Sequence, residues 1–288
     1  PMHVVIIGSG PAGVSAALYA RRGGAEVTVI TKGTGFLAAA AWVENYYGFP
    51  EPIAGAELEQ RGIDGAKRLG VHFEMDEALA VQPADHGAAF LIEGVRQRYE
   101  ADAVILAAGA HRKMPSIAGL RSFEGHGISY CAICDAFFYR GKNVAVIGAG
   151  EYALHEAQIL LPHAAHLTLL TNGADLTAAL SSDIAVNTRE IARIEGERRV
   201  RQIVFADDSR MDVDGVFVAV GTAGSVELAR KLGVLVHDGK IPVGEHMETN
   251  VPGIYAAGDC TGGLMQIAKA VYEGAAAGLA AVHHLRRG

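Results

Sequence analysis

The chain has 288 residues, half of them hydrophobic and 20% charged, which suits two compact domains with real cores and excludes a disordered tail. Its net charge of −7, without a long run of either sign, argues against a nucleic-acid partner, and the paired arginines at 21–22, 198–199 and 286–287 read as solvated surface. No apolar stretch is long and uniform enough to span a bilayer, and the first apolar run is too short for a signal peptide. Pro1 ahead of Met2 reads as a remnant of cloning. Three cysteines are too few for a secreted disulfide scaffold, so the expected location is cytoplasmic, where a close cysteine pair points to catalysis.

In chain order, residues 3–8 (His-Val-Val-Ile-Ile-Gly) read as a buried parallel strand. A glycine turn follows, then an alanine-rich helix over 14–22 and a second strand over 26–31. A near copy begins at Lys142, with a strand over 143–148, a turn at Gly148, Gly150 and Ala153, a helix over 152–161 and a strand over 166–171. Further buried strands read at 103–107, 215–220 and 253–257, each ending at glycine, and a helix over about 266–285 closes the chain. The predicted fold is α/β, with two Rossmann-like three-layer domains. The copy starts after the 103–107 strand, and the 253–257 strand comes after the copy should be complete. The second domain, residues 112–243, is therefore expected to be inserted in the first, residues 1–111 plus 244–288. Linkers are expected at Lys113-Met-Pro115 and Ile241-Pro-Val243.

Gly8-Ser9-Gly10-Pro11-Ala12-Gly13 follows a strand and opens a helix. The first glycine makes the turn, the second admits a pyrophosphate and the third lets helix pack on strand. The motif alone does not choose between FAD and NAD. The second strand ends Thr31-Lys32-Gly33, without the acid that an NAD site places there.

Cys131-Ala-Ile-Cys134 is the sharpest signal. Two intervening residues allow a disulfide, and this spacing lowers the pKa of one thiol from about 8.5 towards 7. A structural zinc would need four ligands. Cys260 is far along the chain and His126 does not complete a set, so no metal is expected. Asp135 follows the pair directly. It reads either as the acid that protonates a leaving thiolate or as a helix cap. Cys260 reads as a small buried residue.

A glycine-turn nucleotide site, then a dithiol, then a second nucleotide fold resembles the low-molecular-weight thioredoxin reductases along nearly the whole chain. The carrying segments are Gly8–Gly13, Val43-Glu-Asn-Tyr-Tyr-Gly48, Ala107-Ala-Gly109, Ser129-Tyr-Cys-Ala-Ile-Cys-Asp135, Phe137-Phe-Tyr139 and Ala257-Gly258-Asp259. The resemblance implies FAD in the first domain. Residues 8–13 and Gly109 would line it, Gly258 and Asp259 would hold the ribityl chain, and Gln266, Ile267 and Asn45 would lie at the flavin end. It further implies that Cys134 faces the flavin, Cys131 attacks the substrate disulfide and Asp135 is the acid. A homodimer, a thioredoxin partner and a rotating NADPH-type domain that carries the dithiol also follow from it.

The second glycine turn departs from that family. It reads Gly148-Ala-Gly-Glu-Tyr-Ala153, and the next strand ends Leu170-Thr-Asn-Gly-Ala-Asp175 with no arginine for a 2′-phosphate and no acid for a ribose. Gly221-Thr-Ala-Gly-Ser225 also departs from the usual pattern. Glu151 and Tyr152 are expected to put a charge and a bulky ring where a pyrophosphate must come close. NADPH is therefore a doubtful cofactor. The chain is closest in character to the ferredoxin-linked, pyridine-nucleotide-independent members, with reduced ferredoxin as the expected donor. Two other readings stay open: an NAD(P)H-dependent enzyme with atypical motifs, and an oxygen-using oxidase of small dithiols.

Overall fold

The computed structural model describes residues 2–110 and 114–287. Pro1, the 111/112 boundary and Lys113 of the first expected linker lie outside the described residues. The chain divides into two compact units, one built from residues 1–111 and 224–288 and the other from 112–223.

The first unit opens with β1 (His3–Ile7), α1 (Pro11–Arg22) and β2 (Glu26–Thr31). Next come α2 (Gly55–Arg68), β3 (His72–Met75), the hairpin strands β4 (Ala78–Pro83), β5 (Phe90–Gly94) and β6 (Arg98–Ala101), and β7 (Ala103–Leu106). The second unit runs through β8 (Ile128–Ser129), α3 (Ala132–Asp135), β9 (Asn143–Ile147), α4 (Glu151–Leu160), β10 (His166–Leu170) and β11 (Ala185–Asn187). It continues with β12 (Ile191–Gly196), β13 (Val200–Phe205), β14 (Arg210–Asp212) and β15 (Gly215–Val218). The chain then returns to the first unit through α5 (Ser225–Lys231), β16 (Ile254–Ala256) and α6 (Ile267–Arg287).

Each unit is built on a parallel five-stranded sheet, in the order β16-β7-β1-β2-β3 in the first and β11-β10-β9-β15-β8 in the second. Val4, Val5, Ile6 and the whole of β7 are buried, as strands covered on both faces must be. Each unit also carries a three-stranded antiparallel sheet, β4-β5-β6 or β12-β13-β14. In the first unit, Gly274 and Gly278 of α6 let that helix lie directly on α1. A Cβ on either would strike the backbone of Ala12 or Ala16. Residues 224–243 pack with the first unit, which moves the expected second boundary from 243/244 to 223/224. The cause is local pairing. Lys231 Nζ donates to the Leu79 carbonyl at 3.1 Å, and the Ile241 amide donates to the Cys260 carbonyl at 2.8 Å. Ile241 is fully buried rather than part of a linker.

Candidate active site

The first glycine turn has the shape of a dinucleotide cradle. Gly8 adopts φ +114°, and a Cβ there would collide with the Ala107 carbonyl. A Cβ on Gly13 would be driven into the Gly8 carbonyl oxygen, so helix and strand touch through backbone. Gly10, in contrast, faces open space, with nothing within 4 Å of an added Cβ. Gly10 is also the N-cap of α1 and no side chain caps that end, while Pro11 opens the first turn. The backbone amides of Ala12 and Gly13 are thus left for an anion. Ser9 is buried and its hydroxyl meets Thr31 Oγ1 at 2.7 Å, which ties the turn to the end of β2. These features fit the pyrophosphate of a dinucleotide.

Asp259 follows Gly258, which adopts φ +91°, in a short turn over Asp259–Thr261. Glu273 and Lys269 of α6 hold that turn. Glu273 accepts the Gly258 amide at 2.8 Å and the Thr261 hydroxyl at 2.9 Å. Lys269 Nζ donates to the carbonyls of Gly258, at 2.8 Å, and Gly262, and pairs with Glu273 at 3.1 Å. The sequence reading missed this pair, although the i, i+4 spacing of opposite charges on a helix was its visible signal. Asn45 and Gln266 lie 221 residues apart in sequence, yet Asn45 Nδ2 donates to Gln266 Oε1 at 2.9 Å. Ile267 begins α6 directly after Gln266, and Gly109 follows β7 with φ +77°.

In the second unit, Cys131 and Cys134 form a disulfide with their Cα atoms 5.3 Å apart. Cys131 is the N-cap of α3 and is 5% exposed, while Cys134 on the same short helix is exposed. Asp135 Oδ2 accepts the Ser129 hydroxyl at 2.7 Å, and Ser129 Oγ accepts the Cys131 amide at 3.2 Å. Asp135 makes no side-chain capping bond to the turn that follows it, so the helix-cap reading falls away. On the far side of the helix start, Glu156 of α4 accepts the Ala132 amide at 2.7 Å. Glu156 is another residue missed from sequence, since nothing in its local pattern links it to residue 132. Cys260 is fully buried and burial pushes its thiol up to about 12, which makes it inert. Among the described residues no group of three or more His, Cys, Asp and Glu side chains is placed to hold a metal ion. No helix among them is long and apolar enough to cross a membrane.

The pyridine nucleotide-disulphide oxidoreductase model matches residues 2–274. The chain belongs to this family. The thioredoxin reductase of Listeria innocua is 33% identical over 294 residues, covering 96% of this chain and 91% of the relative. The structure of an atypical thioredoxin reductase from Desulfovibrio vulgaris Hildenborough is 38% identical with a TM-score of 0.93, and covers 100% of this chain and 99% of its own. A ferredoxin-flavin thioredoxin reductase from Clostridium acetobutylicum is 34% identical with a TM-score of 0.72 and full coverage of both chains. The chain is thus a flavoprotein disulfide reductase of the thioredoxin reductase type.

Against that family frame, the second glycine turn behaves differently from the first. Gly148 keeps its tight contact, since a Cβ there would strike the Ala219 carbonyl. The space beside Gly150 is narrower than that beside Gly10. An added Cβ would lie 3.7 Å from both Thr177 Oγ1 and the Gly221 carbonyl oxygen. Thr177 donates its amide and its hydroxyl to the Ala149 carbonyl, at 2.9 and 3.2 Å. The expected obstruction by Tyr152 is corrected. Its ring is fully buried under α4 and only Glu151 remains near the turn. At the end of β10, Asn172 is in the left-handed region with φ +52°, and its Oδ1 accepts the Ile191 amide at 2.7 Å. The side chain at the usual ribose or 2′-phosphate position therefore serves the fold.

Proposed function

We propose that this protein is a flavin-dependent reductase of thioredoxin whose electrons come from a one-electron donor of the ferredoxin class rather than from NADPH. The observation that carries the reading is the contrast between the two turns: nothing lies within 4 Å of a Cβ on Gly10, while Thr177 Oγ1 and the Gly221 carbonyl stand in van der Waals range of one on Gly150. The missing arginine and the use of Asn172 inside the fold support it. The similarity to the ferredoxin-flavin thioredoxin reductase of Clostridium acetobutylicum supports the same reading.

FAD fits the first unit. Residues 8–13 would cradle its pyrophosphate, Gly109 would flank it, Gly258 and Asp259 would hold the ribityl chain, and the Asn45–Gln266 pair with Ile267 would stand at the flavin end. Bound there, FAD supplies the conversion between single electrons and electron pairs. A donor near about −400 mV and a thioredoxin near about −270 mV leave about 6 kcal/mol for the two-electron transfer.

The chain's own residues do the rest. Two electrons and two protons open the Cys131–Cys134 bond, leaving a thiolate at Cys131 with one proton on Asp135 and one on Cys134 that passes to the second substrate sulfur. The Cys131 thiolate attacks one sulfur of the substrate disulfide, and the departing thiolate takes a proton from Asp135. Cys134 then attacks Cys131, releases the substrate as a dithiol and restores the disulfide. Ser129 aims Asp135 by donating to its carboxylate. Ile133, Phe137 and Phe138 are large apolar side chains exposed beside the pair, a surface suited to a protein disulfide partner. Cys131 is buried, so it must become exposed before it attacks a protein disulfide. The same reading has the protein working as a homodimer in a reducing, cytoplasmic compartment.

The test follows flavin absorbance near 450 nm under anaerobic conditions. Reduced ferredoxin should bleach it and oxidised thioredoxin should restore it, while NADPH and NADH leave it unchanged. Prompt bleaching by micromolar NADPH sinks the donor assignment.

A further inference from the structure

An acid that gives up its proton has to keep its place on both sides of the transfer. In the disulfide state the Asp135 carboxylate is held, among the described residues, by the Ser129 hydroxyl at 2.7 Å. Ser129 is 5% exposed, so little water reaches that hydroxyl. It lies on β8 and pairs in parallel register with Phe217 of β15. Its backbone is therefore fixed by the sheet, whereas Asp135 and Cys134 belong to the short helix α3.

The same oxygen has two further neighbours, both from Cys131. It accepts the Cys131 amide at 3.2 Å, and the Cys131 carbonyl oxygen stands 3.5 Å away, long for a hydrogen bond while the hydroxyl points at Asp135. A hydroxyl has one hydrogen to give and two lone pairs to receive with. Here the hydrogen goes to Asp135 and one lone pair takes the Cys131 amide. One lone pair and one acceptor, the Cys131 carbonyl, are left in reserve.

We infer that Ser129 is a positioning residue whose hydroxyl turns with the proton on Asp135. While Asp135 lacks the proton, Ser129 donates to its carboxylate. Once Asp135 carries it, the carboxyl donates to Ser129 Oγ and the hydroxyl hydrogen turns to the Cys131 carbonyl. When the proton leaves for the departing substrate sulfur, the hydrogen turns back. Ser129 neither gains nor loses a proton, and the one proton that moves passes from Asp135 to that sulfur. A partner that only donates could not take the hydrogen of the protonated acid. If Ser129 merely closed the turn into α3, its loss would slow every disulfide substrate alike.

This role presupposes Asp135 as the acid of the function proposed above, and the experiment tests the two separately. The flavin-loaded full chain is reduced anaerobically with dithionite and mixed in a stopped-flow cell with oxidised thioredoxin or with dithiobis-nitrobenzoate. The aromatic thiolate of the second substrate leaves without a proton, so it needs no acid. Ser129→Ala should slow the reaction with thioredoxin about tenfold, a part of the about 100-fold that a positioned acid supplies, and leave the aromatic disulfide unchanged. Added to Asp135→Asn, it should cost nothing more. Redox-difference infrared spectra should show the Asp135 carboxyl stretch in the reduced protein, moved to higher frequency in Ser129→Ala as its hydrogen bond is lost. Wild-type rates in Ser129→Ala, equal slowing with both disulfides, additive losses with Asp135→Asn or an unmoved carboxyl stretch overturns the inference. Wild-type rates in Asp135→Asn alone, or a reduced wild-type protein without the carboxyl stretch, would remove Asp135 as the acid and this role of Ser129 with it.

Discussion

Thr177 gives both of its donors, amide and hydroxyl, to the carbonyl oxygen of Ala149 in the middle of the second glycine turn. That clasp brings the segment after β10 into van der Waals range of a Cβ on Gly150, where the matching turn of the first unit leaves Gly10 with nothing within 4 Å of one. The same supersecondary unit is thus present twice, with an open turn in the first unit and a narrower one in the second.

Two obstacles then act in series, the Thr177 side chain close to the turn and the missing arginine. Thr177→Gly should leave NADPH unable to reduce the flavin, because freeing the turn does not supply a 2′-phosphate partner. Stopped-flow absorbance with millimolar NADPH checks this. Fast bleaching in that variant would mean the clasp was the sole barrier.

Asn172 cannot be recruited for the missing contact without cost. Its side chain is the acceptor for the amide of the buried Ile191, and its backbone is left-handed. Asn172→Arg should lose about 1–3 kcal/mol of stability in denaturant unfolding. Asn172→Gly relieves the backbone but not the hydrogen bond, so it should fall between wild type and arginine. A stable arginine variant would contradict the structural role.

Much of this was legible in the sequence, and the limits are physical. The parallel strands β1, β2, β7, β9, β10, β15 and β16 are short apolar runs, most of them followed by glycine, so composition and punctuation marked them to within a residue or two, whereas the short strands β3, β8 and β11 went unmarked. The cysteine pair and the Gly8–Gly13 turn are contiguous signals. The antiparallel strands β4–β6 and β12–β14 mix buried with exposed positions instead of forming uniform apolar runs, and they were not read from the sequence. The Thr177–Ala149 clasp, the Asn45–Gln266 contact and the Glu156–Ala132 bond join residues 24 to 221 positions apart, which only the folded chain brings together. Tyr152 was misread because a residue beside a glycine turn can point inward as readily as outward, and here it fills the core.

The cradle makes a paired prediction about the cofactor. Gly13→Ala forces a Cβ into the Gly8 carbonyl and should cost both stability and bound flavin. At Gly10 an added Cβ has no protein atom within 4 Å, so flavin-free Gly10→Val should melt as wild type does while the 450 nm absorbance of the purified chain falls sharply. Full flavin content in Gly10→Val would move the pyrophosphate elsewhere.

The turn that carries Asp259 depends on the Lys269–Glu273 pair, whose side chains are 16% and 9% exposed. Lys269→Met leaves a buried carboxylate without its cation and should cost about 2–4 kcal/mol, with loss of flavin. Glu273→Gln added to Lys269→Met removes that charge and should recover part of the stability. A thermal-shift double-mutant cycle measures the coupling, and strictly additive effects would show that the two residues act independently.

The thiols should differ in order of modification. In the reduced protein Cys134 is exposed and should be alkylated first, Cys131 more slowly, and Cys260 only in denaturant. Cys260 also sets an alkaline limit. Its folded thiol lies at about 12, above its ordinary value of 9.0, so the folded state holds that proton more tightly than the unfolded chain. The contribution is intact below pH 9.0 and is lost as pH rises towards about 12. Its upper bound over that window is about 4 kcal/mol, at 1.36 kcal/mol per unit. Cys260→Ala should therefore flatten the fall of unfolding free energy above pH 9, measured by urea denaturation at fixed ionic strength. An equal fall in both proteins would place the alkaline sensitivity on other groups, with the buried tyrosines Tyr139 and Tyr255, also raised by burial, the next to replace.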